Sequence, residues 1–317
     1  MKFLKKLFQY WYILIGLLIF FYILFYKINL AEVSKILIQA NLFYIGLAVF
    51  FVLLMILIQP IRWNYLKKAQ NIDYPLKDSF FIYNTGFFLS TITPGRIGDL
   101  IKVLYLKKDG YSIGKSLVSI ILDRLADIVF LLIIGYLSIF FFFKDIRKDL
   151  FLFTFLGLII LALFIIFQRN GSFKKLINKI LGFIIPSKYK KSWHLNYQEF
   201  INDFKGYKLK NYLVISLITV VVWFFYYSSM FFLAKSIGLE VPLIFFILSV
   251  TLATLATLMP VSILGLGTRD ATLLLLFSSL DINPEITISF STLYLLMLLM
   301  SNFIGFLSWL KKPLKFK

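Results

Sequence analysis

Thr93-Pro94-Gly95-Arg96-Ile97-Gly98-Asp99 interrupts an apolar stretch that begins at Ser79, and Pro260-Val261-Ser262-Ile263-Leu264-Gly265-Leu266-Gly267-Thr268-Arg269-Asp270 interrupts another that begins near Leu243. The two breaks share a grammar. A proline, Pro94 or Pro260, ends the descending helix, because it has no N–H to give and its ring clashes with the preceding turn. Glycines, Gly95 and Gly98 in the first break and Gly265 and Gly267 in the second, free the turn and let backbone approach a ligand closely. One arginine and one aspartate, Arg96 with Asp99 and Arg269 with Asp270, then start the ascending helix. Charge at membrane depth is expensive and usually functional. Whether these stretches lie in a membrane therefore decides both the fold and the function.

Composition answers that question. Of 317 residues, 60% are hydrophobic, 19% are aromatic and only 15% are charged. Soluble domains are typically about 45–50% apolar, so this excess cannot be hidden in one or two soluble cores. Apolar runs near the length of a membrane span recur along the chain, which reads as an all-α, polytopic integral membrane protein. The 34 Lys and Arg outnumber the 15 Asp and Glu, giving a formal charge of +19. Those cations lie between apolar runs rather than on a soluble face, so they set topology and meet anionic head groups rather than nucleic acid. With no cysteine, disulfides, thiolate metal sites and a cysteine nucleophile are excluded. The single histidine, His194, cannot build a histidine metal cluster and reads as a loop residue. No Walker A, dinucleotide or nucleophile-elbow motif occurs, and no metal or cofactor is called for.

The apolar runs are approximately 8–26, 42–61, 79–93, 126–143 (its helix starting near Ser112), 151–167, 212–234, 243–258, 271–280 and 286–310. The run 8–26 is too long for a signal-peptide core and is read as a retained span. Lys and Arg concentrate at the N-terminus, in 62–78, 102–115 and 168–210, and in the tail after Leu310. They are sparse in 27–41, 235–242 and 281–285. The positive-inside rule puts the first group, with both termini, in the cytoplasm and the second outside. Segment 144–150 joins the outside group against its own Lys144, Arg147 and Lys148. Both broken stretches then have their two ends on one side. The expectation is about six full spans plus two re-entrant helical hairpins, one dipping from each face. Eight or nine simple spans with proline kinks are the alternative.

The order span, span, hairpin, span repeats from the opposite face. Residues 1–150 form the first transmembrane repeat with the inward-side hairpin. Residues 151–317 form the second, inverted repeat, with the basic loop 168–210 and the outward-side hairpin. Inverted repeats recur in secondary transporters, whose sites lie near the midplane at broken helices.

At such breaks, free N–H groups and the positive end of a helix suit phosphate or carboxylate, and an arginine adds a bidentate donor. Arg96, Arg269, Gly95, Gly98, Gly265 and Gly267 are the candidate anion ligands. Capping of their helices by Asp99 and Asp270, with the arginines as ion-pair partners, is the alternative. A third constellation, Asp123-Arg124-x-x-Asp127, places two carboxylates four apart on one helix face. It is either a charged cavity lining or an ion-paired patch that locks this helix to the first hairpin. Residues 173–184 place Phe173, Leu176, Ile177, Ile180, Leu181 and Ile184 on one face, which fits an interfacial amphipathic helix or a packing helix in the loop.

The first break, followed by Ser116-Leu117-Val118-Ser119-Ile120-Ile121-Leu122-Asp123-Arg124-Leu125-Ala126-Asp127, resembles the flippase-like membrane region of lysylphosphatidylglycerol synthases. That family also covers many stand-alone prokaryotic membrane proteins. The Pro260 to Asp270 break resembles its second signature, with Asp270 where the usual ending is Arg-Glu. The likeness runs over almost the whole chain. It implies a cell-membrane protein that moves or handles an anionic phospholipid or a polyprenyl-phosphate-linked lipid. No aminoacyltransferase domain accompanies the membrane region, so lysyl transfer is not expected. A noncatalytic partner of a lipid-modifying enzyme is a second reading. A lipid-phosphate transferase or phosphatase using Asp123 or Asp127 as base is a third.

Overall fold

A computed structural model describes residues 13–142, 203–204, 206–258 and 262–314, without the side chains of residues 13, 14 and 94–96. The apolar run 151–167, segment 144–150, most of the loop 168–210 with the amphipathic stretch 173–184, His194 and Pro260 lie outside the described residues. Among the described residues every element is helical.

Helix α1 (Ile13–Tyr26) is followed by α2 (Leu30–Ile38), turned from it by 91°. Most of segment 27–41, between two apolar runs, is thus a short helix. Its start is written locally. Asn29 caps the helix, its side chain accepting from the N–H of Ala31 at 3.1 Å, and Glu32 favours the positive end. Helix α3 (Leu42–Ala69) carries Pro60 inside it and runs eight residues past the expected end at Ile61. Nothing from Arg62 to Ala69 is a breaker, and the next proline is Pro75.

Helix α4 (Leu76–Ile92) ends where Thr93 turns extended ahead of Pro94, as a residue before proline prefers. A 3-10 segment (Pro94–Leu100) follows, and α5 (Ile101–Lys108) only begins after it. The 3-10 segment folds back on α4. Gly98 donates its N–H to Thr93 Oγ1 at 2.8 Å, and a Cβ on Gly98 would collide with the Leu89 carbonyl. After α6 (Ile113–Phe142) and α7 (Leu209–Ser236) comes the second broken pair, α8 (Leu243–Leu258) and α9 (Thr268–Ser278). Here Gly267, at φ 81°, lies against the backbone of Gly16 in α1, where a side chain would overlap the Gly16 carbonyl oxygen. The last helix is α10 (Pro284–Lys311).

Helices α3, α6, α7 and α10 are each long and apolar enough to cross a membrane. Helix α3 lies along α7, with Phe51 stacked on Phe232 at 5.4 Å. Helix α4 packs on α10, and α8 packs on both α9 and α6. The apolar core lies around Phe246, Phe277 and Phe290.

The connections sort into two ends. At one, Gln70 donates to the Lys115 carbonyl at 3.0 Å, Lys312 pairs with Asp78 at 2.7 Å and Tyr207 donates to the Leu66 carbonyl at 2.7 Å. At the other, the N–H of Asn29 reaches Glu285 at 3.1 Å and that of Asn41 reaches the Ser236 carbonyl at 2.7 Å. These are the two groups of segments that the positive-inside count separates.

Candidate functional site

The first break is held by ion pairs drawn from three helices. Arg62 of α3 donates through Nε to Asp123 Oδ1 at 2.8 Å. It also grips Asp127 with both terminal nitrogens, at 2.7 and 2.8 Å, and reaches Thr219 of α7 at 2.9 Å. The four-residue spacing of Asp123 and Asp127 lets both carboxylates meet one guanidinium. Tyr83 of α4 donates to the other oxygen of Asp123 at 3.1 Å, and the indole N–H of Trp223 donates to Asp127 at 3.3 Å.

Arg124 lies next to Asp123 in sequence but turns to the hairpin. Its Nε donates to Asp99 Oδ2 at 2.7 Å, while Lys102 contacts Asp99 Oδ1 at 2.7 Å. Lys102 also lies 3.8 Å from the ring centroid of Tyr83. The cations Arg62, Lys102 and Arg124 are therefore matched by Asp99, Asp123 and Asp127. Neutralisation of this kind is what lets charge persist in a low-dielectric interior.

Lys67 differs. Its side chain is fully buried, with its ammonium donating to Ser79 Oγ at 2.6 Å and lying 3.9 Å from the ring centroid of Trp63 and 4.4 Å from that of Tyr74. It has no ion-pair partner among the described residues. Two aromatic faces and a hydroxyl take the place of a carboxylate. In the connection beside it, burial, and then the bond Tyr74 donates to Asp109, push the Tyr74 phenol above its ordinary value.

The second break is simpler. Thr268, Arg269 and Asp270 are the first three residues of α9. Asp270 Oδ2 accepts the N–H of Gly267 at 2.7 Å, and its Oδ1 accepts from Arg269 at 3.0 Å and from the Ser291 hydroxyl of α10. Arg269 Nε donates to Ser291 Oγ at 2.7 Å, and its guanidinium lies 4.9 Å from the ring centroid of Tyr294.

The structure brings Asp99, Asp123, Arg124 and Asp127 together at the first break, and Gly265, Gly267, Arg269 and Asp270 at the second. Asp270 caps its helix. Asp99 is instead an ion-pair partner in the 3-10 segment, two residues before α5 begins. Two glycine N–H groups proposed for a ligand already have partners, Gly98 in Thr93 and Gly267 in Asp270. Pro94, Gly95 and Arg96 lie in the 3-10 segment, their side chains outside the description. Two guanidinium nitrogens remain buried without a hydrogen-bond partner among the described residues. They are Arg124 Nη2 and Arg269 Nη1, one at each break.

Sequence reasoning missed Arg62, Lys67 and Lys102. It counts them as loop cations, yet each is fully buried. The available signal was helical continuity. Arg62 and Lys67 belong to one unbroken helix with the apolar run before them, beside Trp63 and Asn64. No group of His, Cys, Asp and Glu suited to a metal occurs among the described residues.

Long apolar helices with two charged helix breaks in their interior define a multi-pass α-helical membrane protein. The family model for the lysylphosphatidylglycerol synthase TM region matches residues 10–305, so the chain belongs to that family. A UPF0104 membrane protein of Methanocaldococcus jannaschii is 24% identical over 279 residues, which span 82% of this chain and 81% of that relative. A UPF0104 membrane protein of Pyrococcus horikoshii is 28% identical over 125 residues, 38% of this chain and 37% of its own.

Proposed function

We propose that the protein carries a phosphate-bearing lipid, an anionic phospholipid or a polyprenyl-phosphate-linked lipid, across the cell membrane. The observation that carries this reading is the pair of guanidinium nitrogens, Arg124 Nη2 and Arg269 Nη1, that are without a hydrogen-bond partner among the described residues, one at each break. A phosphate oxygen is the acceptor such a nitrogen takes best. Arg96 and the glycine backbone at Gly95 and Gly265 complete the proposed head-group contacts. Family membership supports the reading, since the family takes its name from the membrane region of a phospholipid synthase.

Packing supports an inverted repeat divided near residue 150. Helix α4 packs on α10 as α8 packs on α6, and α5 packs on α6 as α9 packs on α10. The aspartates follow suit: Asp99 is held by Arg124 of α6 and Asp270 by Ser291 of α10. Rocking of one repeat against the other would alternate access. The cation-rich end, with both termini, is assigned to the cytoplasm.

The test is scrambling of a fluorescent phosphatidylglycerol in proteoliposomes. Wild type is expected to transport, and Arg96→Ala, Arg124→Gln and Arg269→Gln each to slow transport by about tenfold, the worth of one charge-assisted hydrogen bond. Full transport by all three variants would contradict the reading. So would no transport of phosphatidylglycerol or a polyprenyl phosphate, and co-purification with one lipid-modifying enzyme would then favour a partner role.

A further inference from the structure

The two charged clusters approach each other on α7. On one side, Trp223 holds Asp127 through its indole N–H. Three residues on, Tyr226 presents its ring edge to face with Trp223, centroids 5.1 Å apart. The Tyr226 hydroxyl bonds both Thr254 Oγ1, at 2.8 Å, and the hydroxyl of Tyr294. The ring of Tyr294 in turn lies under the Arg269 guanidinium. Side chains of α7 therefore bridge the ion pairs of one break to those of the other.

The middle of this bridge has two hydrogen-bond arrangements. The Thr254 hydroxyl gives its proton to the Val250 carbonyl at 2.7 Å, so towards the tyrosines it can only accept. Both tyrosine oxygens are within reach of it, Tyr226 at 2.8 Å and Tyr294 at 3.2 Å. In one arrangement Tyr226 donates to Thr254 and Tyr294 donates to Tyr226. In the other Tyr294 donates to Thr254 and Tyr226 donates to Tyr294. Each satisfies every hydroxyl proton, and the two differ in the direction of the dipoles facing Trp223 and Arg269. In a buried, low-dielectric setting such dipoles are felt by neighbouring charges. A two-state element biased by both sites is the physical requirement for coupling.

We propose that Tyr226, with Trp223 and Tyr294 on either side, is a positioning residue that couples the two breaks. A change of ion pairing at one then alters the opening of the other. This deepens the transport reading and rests on it, but the test needs no transport. The chain has no cysteine, so single reporters can be introduced without a background. Ile97, 65% exposed at the first break, and Ile263, 46% exposed at the second, are suitable sites.

Maleimide labelling of Ile97→Cys is measured in the purified full chain, with and without Arg269→Gln at the far break. Coupling predicts a change in labelling rate of about fivefold or more, shrinking to less than about twofold when Tyr226→Phe is added. Reciprocally, Asp127→Asn should change labelling of Ile263→Cys, again only with Tyr226 intact. Should Arg269→Gln fail to fold, Asp270→Asn, which removes the Arg269–Asp270 ion pair and keeps an acceptor for the Gly267 N–H, takes its place under the same criterion. No change at the far reporter, or the same change with Tyr226→Phe present, overturns the coupling. Transport by wild type with either of these results would leave the transport reading standing.

Discussion

The two breaks use the same residue types and hold them differently. At the first, Asp99 is gripped by Lys102 and Arg124, and the adjoining Arg62 grips Asp123 and Asp127, so that charges from α3, the 3-10 segment, α5 and α6 interlock. At the second, Arg269 and Asp270 are neighbours in sequence and are held, among the described residues, by Ser291, the Gly267 N–H and the Tyr294 ring. One break is fastened by long-range ion pairs, the other by a local cap and a close backbone crossing. The difference says where each is fragile. The first depends on charges that leave uncompensated partners when removed, the second on the absence of a side chain at Gly267.

Four substitutions, with one control, test that contrast, each read by denaturing-detergent titration of purified protein. The largest loss is expected for Arg62→Leu, which strands Asp123 and Asp127 in the interior, at about 3–5 kcal/mol. A loss below that of Arg269→Leu would erase the distinction between the breaks. Gly267→Ala comes next, at about 3 kcal/mol, because φ is positive and the new methyl meets the Gly16 carbonyl. Gly46→Ala, whose new methyl would have none of the described residues around it within 4 Å, is its control and should be neutral or gain up to about 1 kcal/mol. Arg269→Leu is expected to cost about 2 kcal/mol, since Asp270 keeps the Gly267 N–H and the Ser291 hydroxyl. Smallest is Lys67→Met, which removes a buried cation that has no ion-pair partner among the described residues. It should fall between neutral and about 1 kcal/mol stabilising. A large loss there would mean that the aromatic and hydroxyl contacts outweigh the cost of burying the charge.

Much of the fold was written in the sequence as periods and breakers. The expected runs 243–258 and 286–310 fall on α8 and α10, and the helix expected to start near Ser112 begins at Ile113. Pro94 and the two break glycines with close backbone neighbours sit where a breaker and a close approach are needed. The failures lie where tertiary contacts decide. Pro60 reads as a stop, yet α3 continues, and the cations after it point into the protein rather than to solvent. Charge counting assumes that a cation between apolar runs is in water. Arg62, Lys67 and Lys102 are instead paired or caged by residues far off in sequence, which no local pattern announces. The carboxylate spacing in Asp123-Arg124-x-x-Asp127 did announce a shared face, and Arg124 does tie α6 to the first hairpin. The identity of the Asp123 and Asp127 partner, Arg62 on α3, was not legible.

Transport as proposed requires that a lipid phosphate be held by the guanidinium groups at the two breaks. Native mass spectrometry of the detergent-purified protein tests it most directly. Wild type is predicted to retain a phosphate-bearing lipid, and the Arg124→Gln, Arg269→Gln double variant, folded by the same titration, to lose it. Retention of the same lipid at wild-type occupancy by the double variant, or a wild type that retains only phosphate-free lipid, would contradict the account.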